Sequence, residues 1–464
     1  MRTTVWAIVT TGMAVSATAL GGSACAPEWD ITLGNPGASG SVSALGTWNG
    51  ELFVGGSFAQ FGSVAGTMGM ARVVNGVVMP IGGGATDGFV NDFIVFDDGN
   101  GADVYIGGAF SSVSGGMAGT RGLVRWTGTA LEAVPGLPFA SGITSSVWAM
   151  TKMGNTLVAG GTGEGVGAEQ KPSLVFWDGT TWTSVGDQFT GQVAPVILCM
   201  TTWDQGMGPV LYFGGRFGTF DPDPNDPNNP IVTCTNIMGF DGTTWFPLDT
   251  GLTRSTSIIS QVQALKVYND GNGERLYAGG RFDRGSGNVT SAVAKWDGVS
   301  WQPVGAGFPM PTEVRAFEVW NDGSGTSLYA AGNFQASGAA TVRRFARWTG
   351  TEWVEVGGGV SDAVTRMVQF EVGGRPAVVL GGSFLDAGNG TGGGAANRVA
   401  AWVGCDASCP GDANGDMIVN FADLNIVLSN FGLSGAGIPG DVTGDGQVNF
   451  ADLNVVLSFF GTSC

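Results

Sequence analysis

The chain contains no histidine among its 464 residues. Without imidazole it cannot form a Ser-His-Asp or Cys-His catalytic group, an imidazole general base, or nearly any catalytic zinc or copper site. A pair of carboxylates would still support hydrolysis of a glycoside, but no two acidic residues stand out from predicted turns. The composition therefore favours a binding protein over an enzyme.

Basic residues are scarce as well. The chain has 20 Lys and Arg residues against 38 Asp and Glu residues, which gives a net charge of −18. No basic patch is available to neutralise phosphates, which argues against a nucleic-acid partner. The acidity suits an extracellular protein that binds calcium.

Long apolar runs are absent beyond the N-terminus. Residues 1–24 are typical of a secretory signal peptide, with Arg2, an apolar stretch from Val5 to Leu20, and Gly-Gly-Ser-Ala before Cys25. No later run approaches the ~20 apolar residues that a membrane span needs. We therefore expect a secreted, extracellular or cell-surface protein without a membrane span. A lipid anchor on Cys25 is disfavoured, because Gly22 stands where such a signal has Leu.

The six cysteines of an exported chain suggest disulfides, although six cysteines allow fifteen pairings. Cys409 and Cys464 bracket the C-terminal region and would join its ends. Cys199 and Cys234 lie within one repeat. Cys25 and Cys405 remain, and the repeat pattern separately predicts that these two cysteines pair.

An apolar strand that ends in a pair of small residues, nearly always Gly-Gly, recurs between Ser41 and Gly404. Its seven copies begin at Leu52, Val104, Leu157, Leu211, Leu276, Leu328 and Val379. Five intervals between successive pairs are 50 to 54 residues, and the fourth-to-fifth interval is 65. A diglycine period near 50 predicts propeller blades of four strands each. We therefore predict a mainly β protein, with a seven-bladed β-propeller over residues 25–405 and a small α-helical module over residues 406–464.

The fifth repeat predicts all four strands of a blade: Val262–Tyr268, Leu276–Phe282, Val293–Trp296 and Trp301–Gly305. The diglycine and the Trp spacing resemble kelch-type propellers. Turn motifs such as Asp97-Asp98-Gly and Asn321-Asp322-Gly recur at hairpin positions, so we attribute their carboxylates to turns and not to calcium.

The seventh repeat stops at Cys405 without a fourth strand. Residues 25–34, which include Trp29, match that strand in the other repeats. We therefore predict that the N-terminal strand completes the last blade. Cys25 and Cys405 would then replace the missing turn with a disulfide, which should stabilise the ring by a few kcal/mol, about 4–5 at most.

Tryptophan positions bear on whether the propeller binds sugars, since sugar-binding surfaces need exposed aromatic rings. After the signal segment only Trp148 falls off the repeat pattern, and the other Trp residues are expected to pack within or between blades. A carbohydrate ligand is therefore unsupported by the Trp positions.

Two near-copies of one acidic loop lie near the C-terminus. One runs from Asp412 to Asp423 and the other from Asp441 to Asp452, 29 residues later. Oxygen-bearing side chains fall at loop positions 1, 3, 5, 9 and 12, and backbone carbonyls are expected at position 7, from Ile418 and Gln447. Ca²⁺ prefers this arrangement of oxygen atoms. Each loop opens a short helix, predicted over Leu424–Phe431 and Leu453–Phe460, so we predict two calcium sites.

A loop–helix tandem with Asp at position 12 and no preceding helix resembles a type I dockerin, a module that attaches extracellular proteins to a cohesin. The resemblance covers residues 411–464 and implies calcium ligands in both loops. They are Asp412, Asn414, Asp416, Asn420 and Asp423, and Asp441, Thr443, Asp445, Asn449 and Asp452. Met417 replaces the Gly of the sharp turn, and Thr443 is a weaker donor than Asp or Asn.

The residues before position 12 bear on the partner. Cohesin-binding dockerins resemble one another in a Ser-Thr pair there, whereas this chain has Phe421-Ala422 and Phe450-Ala451. These four residues are the predicted partner contacts, and they leave the partner open between a cohesin-like protein and another surface component.

Three functional hypotheses remain. The first is a secreted calcium-binding scaffold, in which the propeller supplies a binding surface and residues 411–464 attach to an extracellular partner. The alternative is a polysaccharide-degrading enzyme or accessory subunit delivered by its dockerin, acting as a carboxylate-based glycoside hydrolase or lyase. In the third, the calcium module packs on its own propeller and stabilises it.

Overall fold

The structure is a computed structural model that describes most of the chain beyond residue 26. The described ranges are 27–85, 87–113, 116–117, 120–134, 146–164, 170–185, 189–190, 196–221, 231–256, 259–388, 393–404, 410–414, 418–435, 438–443 and 445–462. The predicted signal segment, Cys25, Cys405, Cys409, Cys464, Asp416 and Met417 lie outside these ranges. The described part is mainly β, with several four-stranded antiparallel sheets that are consistent with propeller-like blades. None of its helices is long and apolar enough to cross a membrane.

The first three sheets follow one another along the chain. Strand β1 (Glu28–Asp30) comes first, precedes a 3-10 turn (Thr32–Gly34), and joins the last sheet. Sheet 1 contains β2 (Ser41–Trp48), β3 (Glu51–Ser57), β4 (Met70–Val74) and β5 (Val77–Pro80). Sheet 2 contains β6 (Phe89–Asp97), β7 (Ala102–Ala109), β8 (Leu123–Trp126) and β9 (Leu131–Ala133). Sheet 3 contains β10 (Ser146–Met153), β11 (Thr156–Glu164), β12 (Gln170–Trp177) and β13 (Trp182–Val185).

Sheets 4 and 5 carry extra short strands beside their four main strands. Around sheet 4 the strands are β14 (Phe189–Thr190), β15 (Val196–Asp204), β16 (Pro209–Arg216), β17 (Thr219–Phe220), β18 (Val232–Thr233), β19 (Ile237–Phe240) and β20 (Trp245–Pro247). Around sheet 5 they are β21 (Leu252–Thr253), β22 (Gln261–Asn269), β23 (Glu274–Arg281), β24 (Arg284–Gly285), β25 (Asn288–Val289), β26 (Val293–Trp296) and β27 (Trp301–Pro303). The sets β14-β17-β18 and β21-β24-β25 form small separate sheets.

Sheets 6 and 7 complete the β part. The strands of sheet 6 and its added hairpin are β28 (Val314–Asn321), β29 (Thr326–Gly332), β30 (Ala336–Ser337), β31 (Ala340–Thr341), β32 (Phe345–Trp348) and β33 (Trp353–Glu355). Sheet 7 contains β34 (Val364–Val372), β35 (Arg375–Gly382), β36 (Val399–Val403) and β1. The four strands predicted for the fifth repeat are confirmed, and each end lies within two residues of its predicted place.

The N-terminal strand pairs with the last sheet, as the sequence predicts. Strand β1 runs antiparallel to β36 and places Trp29 opposite Trp402. The Trp29 indole N–H donates to the carbonyl of Gly357 at 2.7 Å, and its ring meets that of Trp402 with a centroid distance of 5.2 Å. Sheet 7 is therefore built from both ends of the β region.

The first strand of each sheet, called the inner strand below, contacts the inner strands of two other sheets. Strand β2 contacts β6 and β34, and the same contacts continue through β10, β15, β22 and β28. Apolar clusters that draw side chains from adjacent sheets fill the spaces between them. The core is thus a series of interfaces between sheets.

Every inner strand carries a β-bulge at the same place. The register with the second strand skips one residue, and these bulge residues are Ser43, Asn91, Trp148, Leu198, Gln263, Arg315 and Thr365. An extra residue bends the strand and redirects its side chain. The residue just before each bulge residue is a buried Val or Ile.

The bulge explains the paired glycines. The first glycine of a pair faces the neighbouring sheet, so a Cβ on Gly55 would lie 2.6 Å from Cγ1 of Val90, which precedes the bulge residue of β6. The second glycine faces its own bulge, where a Cβ on Gly56 would run into the carbonyl oxygen of Ser41. Sheet 6 has Ala331 at the first position but keeps Gly332 at the second. The second position is therefore the stricter one.

The predicted pairing of Cys199 with Cys234 is absent, since both are free, buried thiols. Cys199 packs with Val262 between sheets 4 and 5, whereas Cys234 packs with Phe217 in the cluster towards sheet 3. The two sulfur atoms lie in separate apolar clusters and do not meet. Burial raises the pKa of each thiol to about 12, so both stay protonated at neutral pH.

The C-terminal module contains two helices, α1 (Phe421–Ser429) and α2 (Phe450–Ser458). Both begin three residues before the predicted start. Asn420 and Asn449 cap them, and the side chains of Asp423 and Asp452 accept from the backbone N–H of the capping Asn. Such a reciprocal capping box satisfies N–H groups at the helix start, so Phe421 and Phe450 belong to the first turns.

Candidate functional site

The two halves of the C-terminal module share one small core. Val419, Val427, Val448 and Val456 are fully buried in it. The segment after α2 pairs with the first loop, since Val419 N–H donates to Thr462 O at 2.9 Å and Gly461 N–H donates to Val419 O at 2.7 Å.

The segment after α1 pairs with the second loop in the same way. Val448 N–H donates to Leu433 O at 3.0 Å, and Gly432 N–H donates to Val448 O at 2.7 Å. Each loop is therefore held by the tail of the other half, and the two loops form one structural unit.

The second loop brings three carboxylates together. Oxygen atoms of Asp441, Asp445 and Asp452 all lie within 4.8 Å of one another. The backbone N–H groups of Asp445 and Gly446 donate to Asp441, at 3.1 and 2.9 Å, which folds the loop around this cluster. Gly446 occupies loop position 6 with φ of 81°, a left-handed conformation that favours glycine. Clustered carboxylate oxygens of this kind are the ligands that Ca²⁺ prefers.

Thr443 and Asn449 contribute differently to this loop. The Thr443 hydroxyl lies 2.9 Å from Asp452 Oδ1 and 3.4 Å from Asp441 Oδ1, so its oxygen is at the cluster. The Asn449 side-chain oxygen accepts from Ala451 N–H at 2.7 Å and caps α2. Because that oxygen serves the helix, Asn449 would act through a bound water, as position 9 of such loops often does.

Asp452 is fully buried, yet its carboxylate stays ionised. Burial alone would raise the pKa of Asp452, but hydrogen bonds from Asn449 N–H, Thr443 N–H and the Thr443 hydroxyl outweigh that effect and lower it. A buried carboxylate held in its charged form is suited to binding a cation.

The first loop repeats part of this pattern. Asp423 is fully buried and accepts from the N–H groups of Ala413 and Asn414 at 2.9 and 3.1 Å. Asn420 caps α1 through its oxygen and donates from Nδ2 to Ile418 O at 3.1 Å. Asp412, Asn414 and Ile418 border the same loop, while Asp416 lies outside the described residues. The predicted first site is thus described only in part.

The predicted partner contacts lie on an apolar surface. Phe421 and Phe450 are 69% and 70% exposed, and each meets a Phe from the other half, Phe460 at 4.9 Å and Phe431 at 5.0 Å between ring centroids. Within the described ranges, nine of the eighteen exposed large apolar side chains belong to this small module. In the part of the chain that the structure describes, exposed apolar side chains are therefore concentrated in this module.

The turn carboxylates of the β region have structural partners, as predicted. Asp322 accepts from Ser324 N–H at 3.0 Å, from the Tyr329 hydroxyl at 2.8 Å and from Arg347 at 3.3 Å. Asp98 and Asp270 repeat this arrangement with a Tyr and a basic residue of their own sheets. These residues fix hairpins to the neighbouring strands.

Tryptophan positions gave an incomplete account of the β surface. Trp301 and Trp353 are buried as expected. Trp245 is only half-buried, stacks on Phe240 with a centroid distance of 4.0 Å, and lines a groove of about 670 Å³ between sheets 3 and 4 together with Asp178. Repeat spacing alone could not distinguish the half-buried Trp245 from the buried Trp301 and Trp353, because all three residues begin the fourth strand of a sheet.

The sequence also missed a cavity among the inner strands. It has a volume of about 180 Å³ and is lined by the seven bulge residues and Arg366; we call it the axial cavity. The only sequence signal for it is Trp148, the one Trp outside the repeat pattern.

No protein-family profile and no curated protein matches the chain. Among solved structures, the computationally designed Ika8 protein is similar at 15% identity and a TM-score of 0.42, over 79% of this chain and 97% of that one. An ancestral GH74 enzyme is similar at 13% identity and a TM-score of 0.33, over 79% and 61%. A mutant of the Cellvibrio cellulosa alpha-L-arabinanase is similar at 11% identity and a TM-score of 0.24, over 55% and 89%. These similarities are too weak to assign a function.

Proposed function

We propose that this chain is an extracellular calcium-binding protein that docks onto a protein partner through its dockerin-like residues 411–464. The observation that carries the proposal is the cluster of Asp441, Asp445 and Asp452 oxygens within 4.8 Å of one another. Three carboxylates this close repel one another unless a cation neutralises them. The second loop would hold Ca²⁺ with these carboxylates, the Thr443 hydroxyl and the Gln447 carbonyl, and the first loop would hold another ion with the equivalent groups.

The proposed role of the ion is to fix the partner surface. Asp452 and Asp423 are both the last residues of their loops and members of the capping boxes that start α2 and α1. An ion bound at either carboxylate therefore acts directly on the helix turn that carries Phe450 or Phe421. Calcium would order both turns and so prepare the apolar surface for its partner.

We also propose that the seven sheets form a closed, kelch-like seven-bladed propeller that carries this module. The contacts between inner strands, which run from β2 through β28 to β34 and back to β2, support closure. The pairing of β1 with β36 supports it as well, because it joins the two ends of the β region in one sheet. The Cys25–Cys405 disulfide remains part of this proposal.

Calorimetric titration of the full chain with Ca²⁺ tests the metal sites. We expect two ions per chain, and we expect Asp445→Asn to weaken one site about tenfold or more, because it removes one ligand charge. The matched control is Asp297→Asn, which changes an exposed turn carboxylate that accepts from Val299 N–H and Ser300 N–H. Absence of Ca²⁺ uptake, or equal affinities for the two variants, would refute the proposal.

Docking is tested by adding the full chain to the surface of the cells that secrete it. Association should require Ca²⁺ and should fall in the double variant Phe421→Ala/Phe450→Ala, while calcium uptake stays unchanged. Val77→Ala is the control, since Val77 is 60% exposed on the β part. Association that survives both chelation and the double substitution would contradict docking through this module.

A second candidate function is binding or hydrolysis of a polysaccharide by the β part. The groove between sheets 3 and 4 favours it, because Trp245 and Phe240 present half-buried rings beside the carboxylate of Asp178. Aromatic faces beside polar groups are typical of sugar sites. Retention on immobilised plant or algal glycans, lost in Trp245→Ala and kept in the exposed control Val289→Ala, would support this function. Release of reducing sugar would make it an enzyme.

A further inference from the structure

The axial cavity receives one bulge residue from each of the seven inner strands. Its volume of about 180 Å³ corresponds to the space of about six water molecules. Because seven separate strands deliver side chains to one place, the lining is set by the sheet architecture and not by a mobile loop.

Three of the bulge residues hold neighbouring strands together. Ser43 Oγ donates to Val90 O at 2.6 Å, Asn91 Nδ2 to Val147 O at 2.9 Å, and Thr365 Oγ1 to Val42 O at 2.5 Å. Each accepting carbonyl belongs to the residue before the bulge on the next inner strand. On this side of the cavity, the polar groups have a structural role.

The other side of the cavity does not continue this pattern. Trp148, Leu198, Gln263 and Arg315 occupy the equivalent positions. Gln263 donates to Glu313 at 3.4 Å, but its buried side-chain oxygen Oε1 has no hydrogen-bond partner among the described residues. A buried acceptor without a donor costs free energy unless a bound molecule supplies one.

Two arginines, Arg315 and Arg366, line the cavity. Arg315 pairs with Glu313 at 2.9 Å, and Arg281 contacts the same carboxylate. Arg366 lines the cavity, and its one hydrogen bond in the described part of the chain goes to the carbonyl of Thr365, at 3.0 Å. Where the structure describes the chain, this guanidinium has no carboxylate in direct contact, although its charge acts on the nearby carboxyl group of Asp92.

The Trp148 ring adds an apolar wall. It is half-buried and meets Phe89 edge-on, with ring centroids 5.8 Å apart. That contact holds the indole in place and leaves it as a lining group of the cavity. An indole face packs well against the C–H face of a small ring.

We propose that the axial cavity binds a small hydroxylated carboxylate, of the size of a single uronic acid or smaller. The carboxylate would accept from Arg366, a hydroxyl would donate to Gln263 Oε1, and the carbon skeleton would pack against Trp148. Charge-assisted pairing of a guanidinium with a carboxylate is strong and directional. This site is separate from the calcium module and stands whether or not residues 411–464 bind calcium.

Calorimetric titration of the full chain with D-glucuronate tests the proposal, with Trp fluorescence as a second signal. We expect binding of glucuronate. The affinities for glucose, which lacks the carboxylate, and for acetate, which lacks hydroxyls, should be weaker by a factor of about ten or more. Arg366→Gln should weaken glucuronate binding about tenfold or more. The matched control Arg275→Gln should leave it unchanged, because Arg275 does not line the cavity, although it likewise donates to the carbonyl of its preceding residue, at 2.7 Å.

Gln263→Leu provides an independent variant, because it removes a buried acceptor and should leave the thermal unfolding midpoint unchanged or higher. It should nevertheless weaken glucuronate binding. Absence of glucuronate binding, equal affinity for glucose, or unchanged affinity in both Arg366→Gln and Gln263→Leu would overturn the proposal.

Discussion

Asp92 is a carboxylate with an unusual environment next to the bulge of β6. Its oxygens accept from Met150 N–H at 2.6 Å and from Phe93 N–H at 3.0 Å. Burial raises the pKa of Asp92 from 3.8 to about 6, although the charge of Arg366 and the two backbone N–H groups oppose this rise. The folded protein therefore holds the Asp92 proton more tightly than the unfolded chain does.

This pKa predicts a pH dependence of stability with a definite sign. The contribution of Asp92 is fully present below pH 4 and is lost as the pH rises through about 6. One pKa unit corresponds to about 1.4 kcal/mol, so the loss is at most about 3 kcal/mol. Urea denaturation between pH 4 and 7 should show the stability of the natural protein falling relative to Asp92→Asn. Parallel curves for the two proteins would contradict this, and Asp204→Asn, in an exposed turn, is the control.

At the scale of the element, the bulge and the paired glycines act together. A Cβ on Gly280 would meet the carbonyl oxygen of Gln261, which is backbone and cannot move aside. A Cβ on Gly279 would lie 2.6 Å from Val314 Cγ1 and 2.8 Å from Phe317 Cε2, which are side chains that can shift.

We therefore predict that Gly279→Ala lowers the free energy of unfolding by about 1–3 kcal/mol. Gly280→Ala should lower it by more, because the strand itself must move. Chemical denaturation of the two variants checks this, and equal losses would show that the bulge does not constrain the second glycine. Ala331→Gly in sheet 6 measures the reverse change at the tolerant position.

Much of the element structure could be predicted from the sequence, and the bulges could not. The strands of the fifth repeat follow from alternation and turn residues such as Asn269 to Gly273, because these are local features. The bulge residues share no chemical type, since Ser43, Trp148 and Arg315 occupy equivalent places. Hairpin lengths also differ between repeats. Residue spacing alone therefore does not reveal that the bulges occupy equivalent places in the inner strands.

The same contrast holds for the candidate sites. The carboxylates of the second acidic loop are close in sequence, so their convergence in space follows from local chain geometry. The axial cavity needs residues from seven distant strands, and only the tertiary fold brings them together. The free thiols of Cys199 and Cys234 show the limit of proximity in sequence, because Cys199 on β15 and Cys234 after β18 pack in separate clusters.

At the scale of the whole molecule, sheet 7 depends on a strand from the other end of the β region. Trp29 is 7% exposed, packs on Trp402, and donates to the carbonyl of Gly357, in the turn that follows β33. Trp301 is the equivalent residue of sheet 5 and donates to Leu248 O at 3.2 Å. It differs from Trp29 in that a short turn connects its strand to the rest of its sheet.

We predict that Trp29→Ala and Trp301→Ala each lower the free energy of unfolding by about 3–5 kcal/mol. Only Trp29→Ala should also speed amide hydrogen exchange in β36, because it releases β1 from its partner. Hydrogen exchange measured by mass spectrometry on peptides covering Val399–Val403 checks this. Equal exchange in both variants would mean that β1 does not hold sheet 7 together.

The pairing of β1 with β36 joins residues 375 positions apart, such as Glu28 and Val403. At roughly 5–20 residues per second, a ribosome needs roughly 20–75 seconds to make the chain between them. During that interval β1, the first of the described strands, has no partner strand, and its edge stays free. Glu28 and Asp30 flank Trp29 in this strand, and charged residues protect an unpaired edge from joining a neighbouring chain. Glu28 and Asp30 thus keep the edge of β1 from pairing with other chains before the protein has folded.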